Sequence, residues 1–109
     1  IDRVFMPIFK SDDSFLIDYA QKIIYNNNST ITVLDVNGHV KNNFVIQSAV
    51  TSLEQKSPDN LTIVTDKVVS IPFLEKQDLM IISLESWKSL IDSNSDWLIG
   101  VPSVLIIKP

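Results

Sequence analysis

The chain has 109 residues, enough for one domain with a core of its own, and carries a formal charge of −4. It contains no cysteine and a lone His39, which excludes disulfides, thiolate-held zinc or iron–sulfur centres and a histidine metal site, so no metal or other cofactor is expected. Its nine Lys and Arg are scattered singly, without the clustered positive field that nucleic acid requires, so no nucleic-acid partner is expected.

No apolar run approaches the roughly 20 residues that span a bilayer, and no charged-then-apolar leader opens the chain, so this segment is not expected to insert into a membrane. A strand begins almost immediately after Ile1, which reads as a domain cut from a longer protein.

Five short apolar runs organise the chain: Val4–Phe9, Ile31–Val36, Leu61–Val64, Leu79–Ile82 and Val104–Ile107. Runs of aliphatics without polar alternation are what strands buried on both faces need, so the chain reads as an α/β domain with a parallel sheet between helices. After the first run, Lys10 to Ser14 offers N-cap residues and acids suited to a helix's positive end. Phe15, Leu16, Tyr19, Ala20, Ile23 and Ile24 then recur at helical spacing, leaving Asp18, Gln21 and Lys22 for solvent, and Asn26-Asn27-Asn28 ends that helix.

Asn37-Gly38 marks a turn after the second run. A second helix is predicted from Asn43 to Lys56, burying Val45 or Ile46, Ala49, Val50 and Leu53, with Ser57-Pro58 as its stop. Between the third and fourth runs the crossover is thin, because Pro72 among Val68, Val69, Ile71, Phe73 and Leu74 leaves only a turn or two of helix. Ser86 is a candidate cap for a short helix carrying Trp87, Leu90 and Ile91, broken by Asp92 to Asp96. Trp97 to Gly100 reads as one apolar turn ended by glycine before Pro102 and the last strand.

Arg3-Val4-Phe5-Met6-Pro7-Ile8, the helix start from Asp13 to Ala20, Ile31 to Val36, Asp78 to Ile82 and Val101-Pro102-Ser103-Val104-Leu105-Ile106-Ile107, in that order, resemble the universal stress protein domain across nearly the whole chain. The closer resemblance is to the divergent, shortened form at the cytoplasmic C-terminus of bacterial cation/proton antiporters. It implies a three-layer α/β/α sandwich with a five-stranded parallel sheet in the order 3-2-1-4-5. It also implies a place on the cytoplasmic face of the bacterial inner membrane, with the transport chemistry in another part of the same chain. The right-handed crossover rule then puts the first two helices on one face and the shorter elements on the other. Phe73, Leu74, Trp87 and Trp97 are expected to supply bulk there. The thinner face or the last strand's edge, with Trp87, Trp97, Val104 and Ile106, is expected to pack against a second copy or the rest of the host.

Strand order reverses between the first and fourth strands, so a ligand is expected at their carboxyl ends, near Phe9, Lys10, Asp35, Val36, Ser83, Glu85 and Trp87. ATP-binding members of the resembled family place an acid just after the first strand and spaced glycines after the fourth. Here Phe9 takes the acidic position and Ser83-Leu84-Glu85-Ser86-Trp87 the glycine stretch. Glycine serves there because backbone amides must approach phosphate closely, so a carboxylate at Glu85 and an indole at Trp87 argue against ATP.

The resulting expectation is a non-catalytic regulatory or interaction domain. One alternative is a nucleotide sensor with a remodelled pocket, in which Val36 backbone groups and Ser83 to Trp87 hold adenine. Another is a receiver-like phosphoacceptor, from Asp12, Asp13, Asp66 and Lys108 near strand ends. Against it, Phe9, Lys10 and Ser11 separate the paired acids from their strand; helix caps at Asp12 and Asp13 and a turn at Asp66 account for all three. His39 reads as a solvated loop residue, Asp35 as a contact to a neighbouring turn, and no serine stands between glycines as a nucleophile elbow would require.

Overall fold

The structure, a computed structural model, describes residues 2–36, 38, 42–65 and 69–108. Its strands are β1 (Arg3–Ile8), β2 (Thr30–Asp35), β3 (Leu61–Val64), β4 (Leu79–Ser83) and β5 (Ser103–Ile107). They form one parallel sheet in the order β3-β2-β1-β4-β5, as expected. The helices are α1 (Leu16–Asn27), α2 (Phe44–Lys56), α3 (Ile71–Glu75), α4 (Leu84–Asp92) and α5 (Trp97–Gly100). The layers are α/β/α. Asn37, His39, Asp66 and Val68 lie outside the described residues. Among the described residues no helix is long and apolar enough to cross a membrane.

Two separate cores flank the sheet. Val4, Met6 and Ile8 of β1, with Ile31 and Val33 of β2, meet Leu16, Ile17, Ala20 and Ile24 of α1 and Ile46, Val50 and Leu53 of α2. Helix α1 thus buries Ile17 where the spacing favoured Tyr19, which stays exposed. Helix α2 starts where the sequence places it, because Asn43 Oδ1 accepts the free amides of Val45 and Ile46. Of the two residues offered for burial there, Ile46 is inside and Val45 outside. Asn28 ends α1 in the left-handed conformation at φ 52°.

On the other face Phe5, Leu34, Met80 and Ile82 pack against Leu74 and Leu90, with Phe73, Trp87 and Trp97 around them. Helix α3 is a single turn of five residues, capped by Ser70, whose hydroxyl accepts the Phe73 amide. Gly100 sits inside the turn of α5, and a Cβ there would come within 2.7 Å of Ile71 Cγ2. Its role is close approach of α5 to α3, not the backbone freedom of a turn. Ser83, not Ser86, is the N-cap of α4, its hydroxyl accepting the Ser86 amide at 3.3 Å.

Helices α3 to α5 leave the amino-terminal part of β2 and β3 uncovered. In register, Arg3 pairs with Thr30, Phe5 with Thr32 and Thr32 with Thr62, so these side chains share the face that carries Phe5. Thr30 and Thr62 are exposed and Thr32 half-buried.

At the same end, Asp78 ties β4 to β1: its carboxylate accepts the amides of Asp2 and Arg3, both at 2.9 Å, and its own amide donates to Arg3 O. The bonds from Arg3 and then Asp2 hold its pKa below the ordinary 3.8. A lowered native pKa stabilises the fold fully above the unfolded value and is lost as pH falls through the native one. Wild-type urea midpoints are therefore expected to fall on acidification below pH 3.8, and more steeply than those of Asp78→Asn, which keeps an acceptor but does not titrate. Parallel midpoint curves for the two proteins from about pH 5 to 2 would contradict this.

Candidate functional site

The carboxyl ends of β1 and β4 are the switch point of this sheet, because the chain leaves β1 toward one face and β4 toward the other. After β1, residues Ser11–Phe15 form a 3₁₀ turn, begun by the Asp13 amide donating to Lys10 O. That turn directs the Asp13 carboxylate back at the strand it follows. Asp13 Oδ2 accepts the Phe9 amide at 3.0 Å and the Lys10 amide at 3.3 Å, and the Ser86 hydroxyl donates to it at 3.1 Å. Asp13 is 2% exposed and Ser86 fully buried.

Asp13 thus sets a carboxylate on two strand-end amides and a helix-start hydroxyl. Backbone amides at a strand end and a hydroxyl in the first turn of a helix are the donors a phosphate would recruit, and the helix dipole of α4 favours negative charge there. Here a side chain from the preceding turn takes all three donors. The expectation that Asp13 caps the first helix is corrected: α1 has no side-chain cap, and Asp13 closes the strand end instead. Ser86, expected as a cap, is the hydroxyl partner across the switch point. An acid four residues after Phe9 and serines at 83 and 86 were the available signals. Neither specifies a bond across 73 residues of chain.

The other expected site residues are placed around this pair as follows. Phe9 is half-buried, its ring 5.5 Å from that of Trp97. Lys10 is exposed, as is Glu85 in the first turn of α4. Ser83 is spent on capping and Trp87 packs into the thinner core. Val36 donates its amide to Ile8 O and packs with the same core. Asp35 ends β2 opposite Ile8, 2% exposed, and among the described residues its Oδ1 is buried with no hydrogen-bond partner.

Asp12 is exposed while Asp13 is buried and engaged, so the two acids do not converge as a metal-binding pair. Among the described residues no three His, Cys, Asp or Glu side chains group together to hold a metal ion. Trp97 and Trp87, expected at an interface, belong to the thinner core, Trp97 standing 5.7 Å from the Phe5 ring. On β5, Val104 is half-buried while Leu105 and Ile106 are 44% and 40% exposed.

No protein-family model matches this chain, and no curated protein matches it.

Proposed function

We propose that the chain is a non-catalytic regulatory or interaction domain, resembling the universal stress protein module of bacterial cation/proton antiporters, that has exchanged nucleotide binding for a self-filled cleft. The observation that carries this reading is the Asp13 carboxylate seated on the Phe9 and Lys10 amides and the Ser86 hydroxyl. An incoming phosphate meets a buried negative charge and no vacant donors among these three, which is a double penalty.

Pairing with a second copy is the second part of the proposal, supported by the free edge of β5. Among the described residues that strand hydrogen-bonds only β4 and ends the sheet, and it shows Leu105 and Ile106 to solvent on opposite faces. An apolar edge with unpaired backbone groups is a template for another strand. In the host, transport belongs to a membrane portion of the same chain, and this module lies on its cytoplasmic side. Remodelled nucleotide sensing is kept as a second reading because the unpartnered Asp35 Oδ1 is a buried acceptor suited to an amino group such as that of adenine.

One pair of measurements tests both parts. Thermal unfolding with ATP, AMP or a cyclic dinucleotide at about 0.5 mM is expected to leave the midpoint unchanged; a rise of several degrees establishes the sensor instead. Sedimentation equilibrium at about 50 μM is expected to give the mass of two chains, and Ile106→Lys the mass of one. A wild-type monomer at that concentration removes the pairing claim without touching the first.

A further inference from the structure

At the opposite end of the sheet from the filled cleft, Arg3, Thr30, Thr32, Phe73, Lys76 and Gln77 line a groove of about 370 Å³. Its origin is the short crossover: α3 stops at Glu75, so the amino ends of β1 and β2 lack a helix above them on that face. Arg3 is the chain's sole arginine, and register places it beside Thr30, with Thr32 one step along the same face. Lys76 and Gln77 follow α3 and close the opposite wall. Phe73, half-buried and edge-on to Phe5 at 5.4 Å, forms the apolar flank.

Among the described residues the Arg3 guanidinium, the Lys76 ammonium and the Thr30 and Thr32 hydroxyls make no hydrogen bond or ion pair. Gln77 Nε2 is held by Phe73 O, which fixes the carboxamide and the ring together. The acids of this end do not line the groove: Asp78 is turned to the Asp2 and Arg3 amides, and Asp2 and Glu75 are exposed outside it. Arg3 and Lys76 are the charged residues that line the recess, with the Asp78 carboxylate near Arg3 but outside the lining.

We propose that this groove binds a small organic phosphate monoester, its phosphoryl oxygens on Arg3, Lys76 and the two threonine hydroxyls and its apolar part on the Phe73 ring. Two cations match a dianion, and a planar guanidinium beside hydroxyl donors suits the several oxygens of one phosphoryl group. The volume exceeds what inorganic phosphate fills and lies within the range of small-molecule sites, which run from about 300 Å³ upward. The site is independent of the filled cleft and of pairing through β5.

The test is a titration of the ¹⁵N-labelled chain at low salt with phenyl phosphate, inorganic phosphate and phenol, followed amide by amide. Phenyl phosphate is expected to shift Arg3, Thr30, Thr32, Lys76 and Gln77 with a dissociation constant of about 1 mM or below, and inorganic phosphate and phenol to bind more weakly. Arg3→Gln and Lys76→Gln are each expected to weaken it by about tenfold, and both residues are exposed, so neither change threatens the core. Thr32→Val keeps the shape and removes a donor, and is expected to weaken binding in the same direction. Failure to shift these amides at about 10 mM, shifts centred on Phe9, Lys10 and Ser86, or unchanged affinity in the Arg3 and Lys76 variants would each overturn the site. Inorganic phosphate binding as tightly as phenyl phosphate overturns the organic ligand. Vesicles carrying phosphatidate separate a lipid-borne monoester from a free one: none of the chain is expected to sediment with them, and co-sedimentation abolished by Arg3→Gln overturns the soluble source.

Discussion

Asp13→Ala is expected to lower the free energy of unfolding by about 3 kcal/mol, because it strands two backbone amides and a hydroxyl whose partner is a buried carboxylate. Ser86 is fully buried, so water does not easily replace what is lost. Asp13→Asn retains an acceptor without the charge and is expected to cost about half as much, since charge-assisted bonds are roughly twice as strong as neutral ones. Urea midpoints of the three proteins give the order. A more specific sign is chemical rescue: about 0.1 M formate should return part of the lost stability to Asp13→Ala by occupying the vacated place, whereas chloride at equal ionic strength should not. Equal stability of wild type and Asp13→Ala would mean that the carboxylate is dispensable, and the self-filled cleft would lose its argument.

Phe5→Ala is expected to cost about 4 kcal/mol, at the upper end for a large-to-small change in a core. Phe5 is fully buried, and its ring meets those of Phe73 and Trp97, the residues through which α3 and α5 hold to the sheet. Both helices are one turn long or little more, and beside these rings α3 is anchored by the buried Leu74. The same variant should therefore lose the near-ultraviolet circular dichroism of the tryptophans more completely than a substitution of Val50 under α2. A loss under about 1.5 kcal/mol would show that these short elements close over the missing ring.

All five strands and the extent of α2 were legible because each depends on signals within a few residues: an apolar run, or an apolar stripe closed by Ser57-Pro58. The inequality of the faces was also legible, since Pro72 limits helix length locally. What escaped was set by distance. The choice of Ile17 over Tyr19 depends on which neighbour α1 meets, and Gly100 depends on Ile71, which sits 29 positions earlier. The cleft escaped for the same reason: Asp13 and Ser86 are each ordinary helix-start residues, and their bond exists only once β1 and β4 lie side by side.

The threonines of β2 and β3 record the length of a connection that does not reach them. A parallel sheet normally demands aliphatics on both sides, and here one quadrant of one side is wet. Threonine keeps the branched Cβ that extended backbone favours while turning a methyl into a hydroxyl, so the strand tolerates water without losing its preference for being a strand. Lengthening α3 to roof that quadrant would bury those hydroxyls unpartnered. Side-chain identity and crossover length are thus one choice made twice, and neither can change alone.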